Sequence, residues 1–361
     1  MNVSKINILI LLCFLAATVI AGCESQEKNT KATAAKSEKK ADKNSAPSTG
    51  RSHETVKDVR PYMGTLVEIT VIGRDRERLL RATNKAFAEF QRIEELMSPY
   101  KEGSDISRLN RKAGEGKIKV SPEVLDILVR SKELSRNSQG AFDLTAASLG
   151  PIWSFDKDSP RVPSRSDISK ALQAAGPDKL EIYEKKGTAG LSGQKTRIHP
   201  GGIAKGHACD RAAAVLKEEG VSMAMVNAGG DIRVLGRKIN RPWKVGVQDP
   251  RDRNRIMAWI PIANEAVATS GDYEKFFIKD GKRYCHILDP RNGRPADKSR
   301  SATVIADKAW LADGLATAVF VLGPEEGLEL SRSMDAEALV IDSGGEIHMT
   351  EGLQDRVHWI P

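Results

Sequence analysis

Aromatic side chains are scarce in this chain of 361 residues, at only 5% of the total, and no stretch interleaves them with basic residues. Stacking platforms on a cationic groove are what single-stranded nucleic acid requires, so a nucleic-acid partner is excluded. Cysteines number four, with no C-x-x-C pair and no zinc-ligand spacing. No apolar run reaches the roughly 20 residues that a membrane-spanning helix needs, and no internal repeat is visible. The formal net charge of +8 looks basic. Its lysines crowd between Lys28 and Lys57, however, and the remainder lies much closer to balance. Hydrophobic residues make up 40%, enough to bury the core of one large domain or two small ones.

The N-terminus reads as a targeting signal rather than as structure. Lys5 supplies a positive flank, and Ile6 to Ile20 form an apolar stretch of signal-peptide length. That stretch ends in Ile20-Ala21-Gly22-Cys23, which resembles a lipobox: small residues admit a signal peptidase, and the Cys23 thiol receives a diacylglycerol. The expected organisation is a signal peptide over residues 1–22, a lipidated tether over 23–58 and a folded domain over 59–361. The tether is rich in Lys, Ser, Ala, Thr and Glu and cannot offset its ordering entropy. The protein is expected on a cell membrane, inner or outer, facing the periplasm or the exterior. Cys13 leaves with the signal, and Cys209 and Cys285 remain either as buried free thiols or as a pair.

Periodicity then lays out the domain. Leu66 to Ile72 alternate as a strand, and Arg76–Met97 carries apolar residues at helical spacing. Ser121 and Pro122 open a helix as cap and first-turn residue. Further helices are expected over Thr145–Trp153, Arg165–Ala175, Ile203–Glu219 and Ala309–Leu322. Short β-rich runs fill the intervals, among them Ala224–Asn227, Trp243–Gln248, Ala266–Ser270 and Ala338–Ile341. Strands and helices in irregular order indicate an α+β fold, mixed sheets with packed helices, rather than a doubly wound sheet.

Short motifs rich in glycine and small polar residues punctuate these elements. Gly201-Gly202 precedes a helix beside Lys205, which suits an anionic pyrophosphate or is simply a tight turn. Gly229-Gly230-Asp231 lets backbone approach a ligand, or joins two strands. Asp313 and Thr317 stand four apart on one helix face and offer two hard oxygens, fitting Mg²⁺ or a helix N-terminus that favours an acid. His286 is a candidate base or a satisfied core histidine.

In chain order the motifs are Tyr62-Met63-Gly64-Thr65, Met97-Ser98-Pro99-Tyr100, Gly140-Ala141-Phe142-Asp143-Leu144-Thr145 and Gly201-Gly202-Ile203-Ala204-Lys205-Gly206. Then follow Val226-Asn227-Ala228-Gly229-Gly230-Asp231-Ile232, Thr269-Ser270-Gly271-Asp272-Tyr273, His286-Ile287-Leu288-Asp289-Pro290 and Ala312-Asp313-Gly314-Leu315-Ala316-Thr317-Ala318. This series resembles the ApbE family of FAD:protein FMN transferases, over about Val59 to Pro361. The resemblance implies a T-fold-like architecture and a Mg²⁺ site made by Asp313, Thr317 and the Gly202 carbonyl. It implies FAD contacts at Met63, Tyr100, Ala141, Phe142, Asp143, Lys205 and Ile287, with His286 as base. Two positions depart from the family: His199, a cofactor contact still because an imidazole can hydrogen-bond ribose or base, replaces an Asp, and His207 replaces a Tyr. The implied reaction joins FMN to a Thr or Ser of an acceptor protein bearing a D-G-x-S/T-G-A-T-like motif, releasing AMP. An FAD pyrophosphatase and a non-catalytic flavin-binding lipoprotein are the alternatives.

Replacement of the acylated thiol is the direct check on the N-terminal reading. Cys23→Ser is expected to leave an unprocessed precursor or to release the protein from membranes; normal fractionation with unchanged mass would contradict it.

Overall fold

The computed structural model describes residues 52–156 and 158–361. The signal peptide, Cys23 and most of the tether lie outside the described residues. The fold opens on a hairpin of β1 (Glu54–Tyr62) and β2 (Thr65–Gly73), followed by the long helix α1 (Arg76–Met97). Next come α2 (Asp105–Arg111), β3 (Lys117–Lys119), α3 (Pro122–Asn137), a 3-10 helix over Leu144–Ile152, and α4 (Arg165–Leu172). β4 (Leu180–Tyr183) and β5 (Thr188–Leu191) join β3 in a small sheet. α5 (Ala204–Glu218) leads into β6 (Met223–Ala228) and β7 (Asp231–Leu235). After them run β8 (Trp243–Gln248), β9 (Ile256–Ile262), β10 (Ala266–Gly271), and the hairpin β11 (Phe276–Lys279) and β12 (Lys282–Cys285). A short ladder of β13 (Leu288–Asp289) and β14 (Arg294–Pro295) precedes β15 (Ser299–Ala306), α6 (Ala309–Leu322) and α7 (Pro324–Ser333). The chain closes with β16 (Glu337–Asp342), β17 (Ile347–Met349), α8 (Glu351–Gln354) and β18 (His358–Trp359).

The spine is an eight-stranded sheet in the order β1-β2-β6-β7-β10-β15-β16-β17. Every neighbouring pair in it is antiparallel. Alternation along each strand gives the sheet two apolar faces. Val67, Ile69, Val71, Val226, Ala268, Val304 and Val340 turn to the helices, where they meet Phe87, Phe90, Leu216 and Phe320. Ile72, Val234, Val267, Ile305 and Ile341 turn the other way and pack on Trp243, Val245, Ile260 and Ile262 of the β8-β9-β18 sheet. Strands buried on both faces read as short unbroken apolar runs, which is why Ala224–Asn227 and Ala338–Ile341 are visible in sequence. The fold class is α+β, as expected.

Three boundaries differ from expectation. The folded domain starts at Glu54 rather than Val59: Val56 is buried and pairs with Val71. β1 lies at the sheet edge, where charged residues such as Lys57, Asp58 and Arg60 are what protects an open edge, so its composition reads as tether. The helix expected over Thr145–Trp153 is a 3-10 helix with Pro151 inside it, and the one expected to reach Ala175 ends at Leu172. Cys209 and Cys285 are both free and buried. Their thiols donate separately, to the carbonyls of Asp231 and Ala296, each at 3.3 Å. Among the described residues, no helix is long and apolar enough to cross a membrane.

α5 and α6 approach so closely that a Cβ on Gly206 would lie 2.1 Å from the Ala309 carbonyl oxygen. Backbone cannot swing aside as a side chain can, so Gly206→Ala is expected to cost about 2 kcal/mol or more. An unmoved urea midpoint would contradict this contact.

Candidate functional site

The loop before α5 is tied down before the helix begins. The His199 N–H donates to the Leu144 carbonyl at 3.1 Å, and the Ile203 and Ala204 N–H groups both return to the Pro200 carbonyl, at 3.0 and 2.8 Å. The Gly201 N–H donates to His199 Nδ1 at 2.9 Å. A Cβ on Gly202 would sit 3.1 Å from Thr317 Oγ1 and 3.2 Å from the Phe142 ring. This loop is therefore wedged between α6 and the Gly140–Thr145 turn.

Asp313 and Thr317 do share one face of α6. Thr317 Oγ1 lies 3.5 Å from the Asp313 carbonyl and 3.4 Å from Ser270 Oγ on β10. Buried Asp313 accepts from the Gly206 N–H at 3.0 Å, and its other oxygen stands 3.9 Å from Lys205 Nζ. Lys205 also pairs with Asp231, at the start of β7. Burial works to lower the Lys205 pKa, and the attraction of Asp231 and Asp313 outweighs it, so Lys205 is held above its ordinary value. Asp313 is raised chiefly by burial and secondly by Asp231, against the pull of Lys205. Asp231 is raised chiefly by burial as well. Asp313 carboxylate, Thr317 hydroxyl and Gly202 backbone thus form a set of hard oxygen donors, the chemistry Mg²⁺ prefers.

His286 follows β12 directly. Its N–H donates to the Lys275 carbonyl at 3.0 Å, and the hairpin is seated by Phe277 and Tyr284, which stack on each other at 5.0 Å and pack against Phe155 and Trp153, each at 6.0 Å. His286 is solvent-exposed at the end of β12, with enough protein packed about its ring to desolvate it in part. Burial there, with the charges of Lys275 and Lys205, pushes its pKa down to about 4. It is therefore neutral, with a free lone pair, at physiological pH. His199 is lowered too, by burial first and Lys275 second.

The other expected flavin contacts divide into surface and floor. Tyr100 is 86% exposed, edge-on to His199 with ring centroids 5.8 Å apart, and so presents an open aromatic face. Met63 sits at φ +51° in the β1–β2 turn, partly buried against the main core. That turn abuts the Gly229–Gly230 turn: the Gly229 N–H donates to the Leu66 carbonyl at 3.2 Å. Ala141 and Phe142 are core residues, a floor beneath Gly202 rather than an open contact. Asp143 Oδ1 caps the 3-10 helix at Thr145 N, 2.8 Å away, while Oδ2 has no partner among the described residues. The carboxylate, raised by burial, lines a cavity of about 10 Å³. The Ile287 carbonyl accepts from the Ala296 N–H at 2.9 Å, which leaves its side chain partly buried on the core.

His207 is the departure the structure removes from the site. It lies on the other side of α5, with Nε2 2.8 Å from Glu123 Oε1 of α3, beside Arg92 and Arg211. Two polar neighbours of the donor set, Asp231 and Ser270, were not assigned a role by sequence reasoning. Each stands within a motif, Asp231 after the double glycine and Ser270 before Gly271, but only the packing of β7 and β10 against α5 and α6 reveals their place.

Comparison with known proteins identifies the family. The model of the ApbE family matches residues 63–341. A protein of Klebsiella pneumoniae named FAD:protein FMN transferase is 31% identical over 314 residues, covering 84% of this chain and 89% of its own. The crystal structure of the ApbE protein from Thermotoga maritima superposes with a TM-score of 0.77 at 32% identity, covering 84% of this chain and 99% of that one. The flavin transferase ApbE from Vibrio cholerae does so with a TM-score of 0.75 at 27% identity, covering 84% and 100%. With the family model spanning most of the folded domain, this chain belongs to the ApbE family.

Proposed function

We propose that this chain is a Mg²⁺-dependent FAD:protein FMN transferase that joins FMN to a Thr or Ser of an acceptor protein. The convergence of Asp313, Thr317 and the Gly202 backbone beside Lys205 carries the reading, and His286 is near enough for the Lys205 charge to act on it. In the reaction, an acceptor hydroxyl oxygen bonds to the FMN-side phosphorus and the P–O–P bond breaks. AMP leaves with the bridging oxygen, and the hydroxyl proton passes to Nε2 or Nδ1 of His286.

Asp313, Thr317 and Gly202 would hold the metal, which when bound neutralises charge developing on the phosphate oxygens. Lys205 keeps the two buried carboxylates in place and contributes a positive charge next to the diphosphate. Tyr100 offers its exposed ring to a planar group. The acceptor is a protein carrying a D-G-x-S/T-G-A-T-like motif. A lipid on Cys23 holds the enzyme at the membrane face, where a tether of this length raises encounters with membrane-bound acceptors.

Incubation with FAD, Mg²⁺ and such an acceptor is expected to raise the acceptor's mass by one FMN less water, with AMP release much faster than without acceptor. Equal AMP release in both conditions and an unmodified acceptor would make the protein an FAD pyrophosphatase. Binding without AMP release in either would make it a flavin carrier.

Asp313→Ala removes the anionic oxygen donor and is expected to slow transfer by about two orders of magnitude or more; full turnover in EDTA would overturn the metal assignment. His286→Asn is expected to bind FAD normally and transfer about a hundredfold more slowly. Because the base is active only when unprotonated, wild-type rate should fall as pH drops towards about 4, and this acid limb should vanish in the variant. A near-normal rate would return His286 to a structural role.

A further inference from the structure

Asp231 is a buried carboxylate to which the reaction above gives no task. It opens β7 directly after the Gly229–Gly230 turn, paired across that hairpin with Ala228. Its backbone and its side chain are both tied to α5. The Cys209 thiol donates to its carbonyl at 3.3 Å, and Lys205 Nζ donates to its carboxylate. Lys205 and Cys209 stand four apart and so share one face of the helix. A strand fixed by the central sheet thereby presents a carboxylate at a set place beside the first turn of α5.

Lys205 has a second carboxylate nearby and leaves it unbonded. Asp313 Oδ2 accepts the Gly206 N–H at 3.0 Å, whereas Oδ1 stands 3.9 Å from Lys205 Nζ, beyond hydrogen-bond length. Oδ1 is therefore the Asp313 oxygen that the ammonium leaves open to a cation. An ammonium on a flexible four-carbon stem can turn from one partner to another. With Asp231 uncharged, Asp313 would be the one carboxylate left within 4.0 Å of Lys205 among the described residues. Charges held away from water are costly unless paired, so Lys205 would close the remaining gap and bond Oδ1.

We propose that Asp231 is a positioning residue for the metal site: it holds the Lys205 ammonium and so keeps Asp313 free to ligate a divalent cation. The inference rests on the Mg²⁺ reading of Asp313, Thr317 and Gly202, and adds to it a residue that acts through Lys205. Without Asp231, the lysine becomes the competitor of the metal.

The test measures binding of Mn²⁺, an oxygen-preferring stand-in for Mg²⁺ whose free ion is counted by its paramagnetic resonance signal, in the absence of FAD. Asp342, Glu346 and His348 form a second cluster able to hold a cation, so every protein compared, the parent included, carries His348→Ala. Asp231→Asn is expected to weaken Mn²⁺ binding about tenfold or more. Lys205→Met should bind at least as tightly as the parent, because the competing ammonium is gone. In the Lys205→Met background, Asp231→Asn should then cost about threefold or less, the non-additivity of one residue acting through another. Asp231→Glu keeps a carboxylate beside the ammonium and is expected to retain most of the parent affinity. Unchanged affinity in Asp231→Asn, or a loss in Asp231→Glu as large as in Asp231→Asn, would overturn the assignment. An equal loss in both backgrounds would overturn it too, making Asp231 a charge or ligand in its own right. So would looser binding in Lys205→Met, a comparison that stands even if Asp231→Asn fails to fold. A parent protein that binds no Mn²⁺ would overturn the metal reading itself, an outcome distinct from all of these.

Discussion

α5 and α6 meet backbone to backbone at Gly206, and the rest of the site follows from that contact. Because no side chain intervenes, Asp313 can reach across from α6 and accept the Gly206 N–H at 3.0 Å, a donor that the first turn of α5 leaves free. The same approach sets Thr317 against Gly202 and brings Lys205 between two carboxylates. β7 and β10, neighbours in the central sheet, then deliver Asp231 and Ser270 from below. A local register of two helices thus collects oxygen atoms from four elements into one place.

The electrostatic state of this cluster decides what it can bind. Burying two carboxylates costs several kcal/mol each unless the charges are compensated. One lysine against Asp231 and Asp313 leaves a formal excess of one negative charge. A divalent cation among these oxygens would reverse that excess, and the positive charge it adds would then suit an anionic ligand. His199 and His286 are both held below the ordinary imidazole value, by burial first and the charge of Lys275 second.

Sequence and structure agree where one signal suffices. The 3.6-residue spacing of α1 and α6, the Ser121-Pro122 start of α3 and the apolar runs of the central sheet are local patterns, and all appear as expected. The i, i+4 relation of Asp313 and Thr317 needed only helical geometry. β1 was hidden because an edge strand carries the charges of a tether, and β12 because Lys282 and Arg283 face solvent at a hairpin tip. Ser270 was invisible for another reason: its place beside Thr317 depends on how β10 packs against α6, and that leaves no trace in residue order. His207 shows the converse, since a position close to Lys205 in sequence points to the other side of the helix, where Glu123 holds it.

A joint metal and diphosphate site between α5 and α6, as proposed, is tested most directly by FAD affinity as a function of Mg²⁺ concentration. Wild-type protein is compared with Thr317→Val, which keeps the shape of the side chain and removes its oxygen. Mg²⁺ is expected to tighten FAD binding to the wild type, with a markedly higher concentration needed in the variant. Equal FAD affinity with and without Mg²⁺ in the wild type, or an unchanged Mg²⁺ dependence in Thr317→Val, would contradict it.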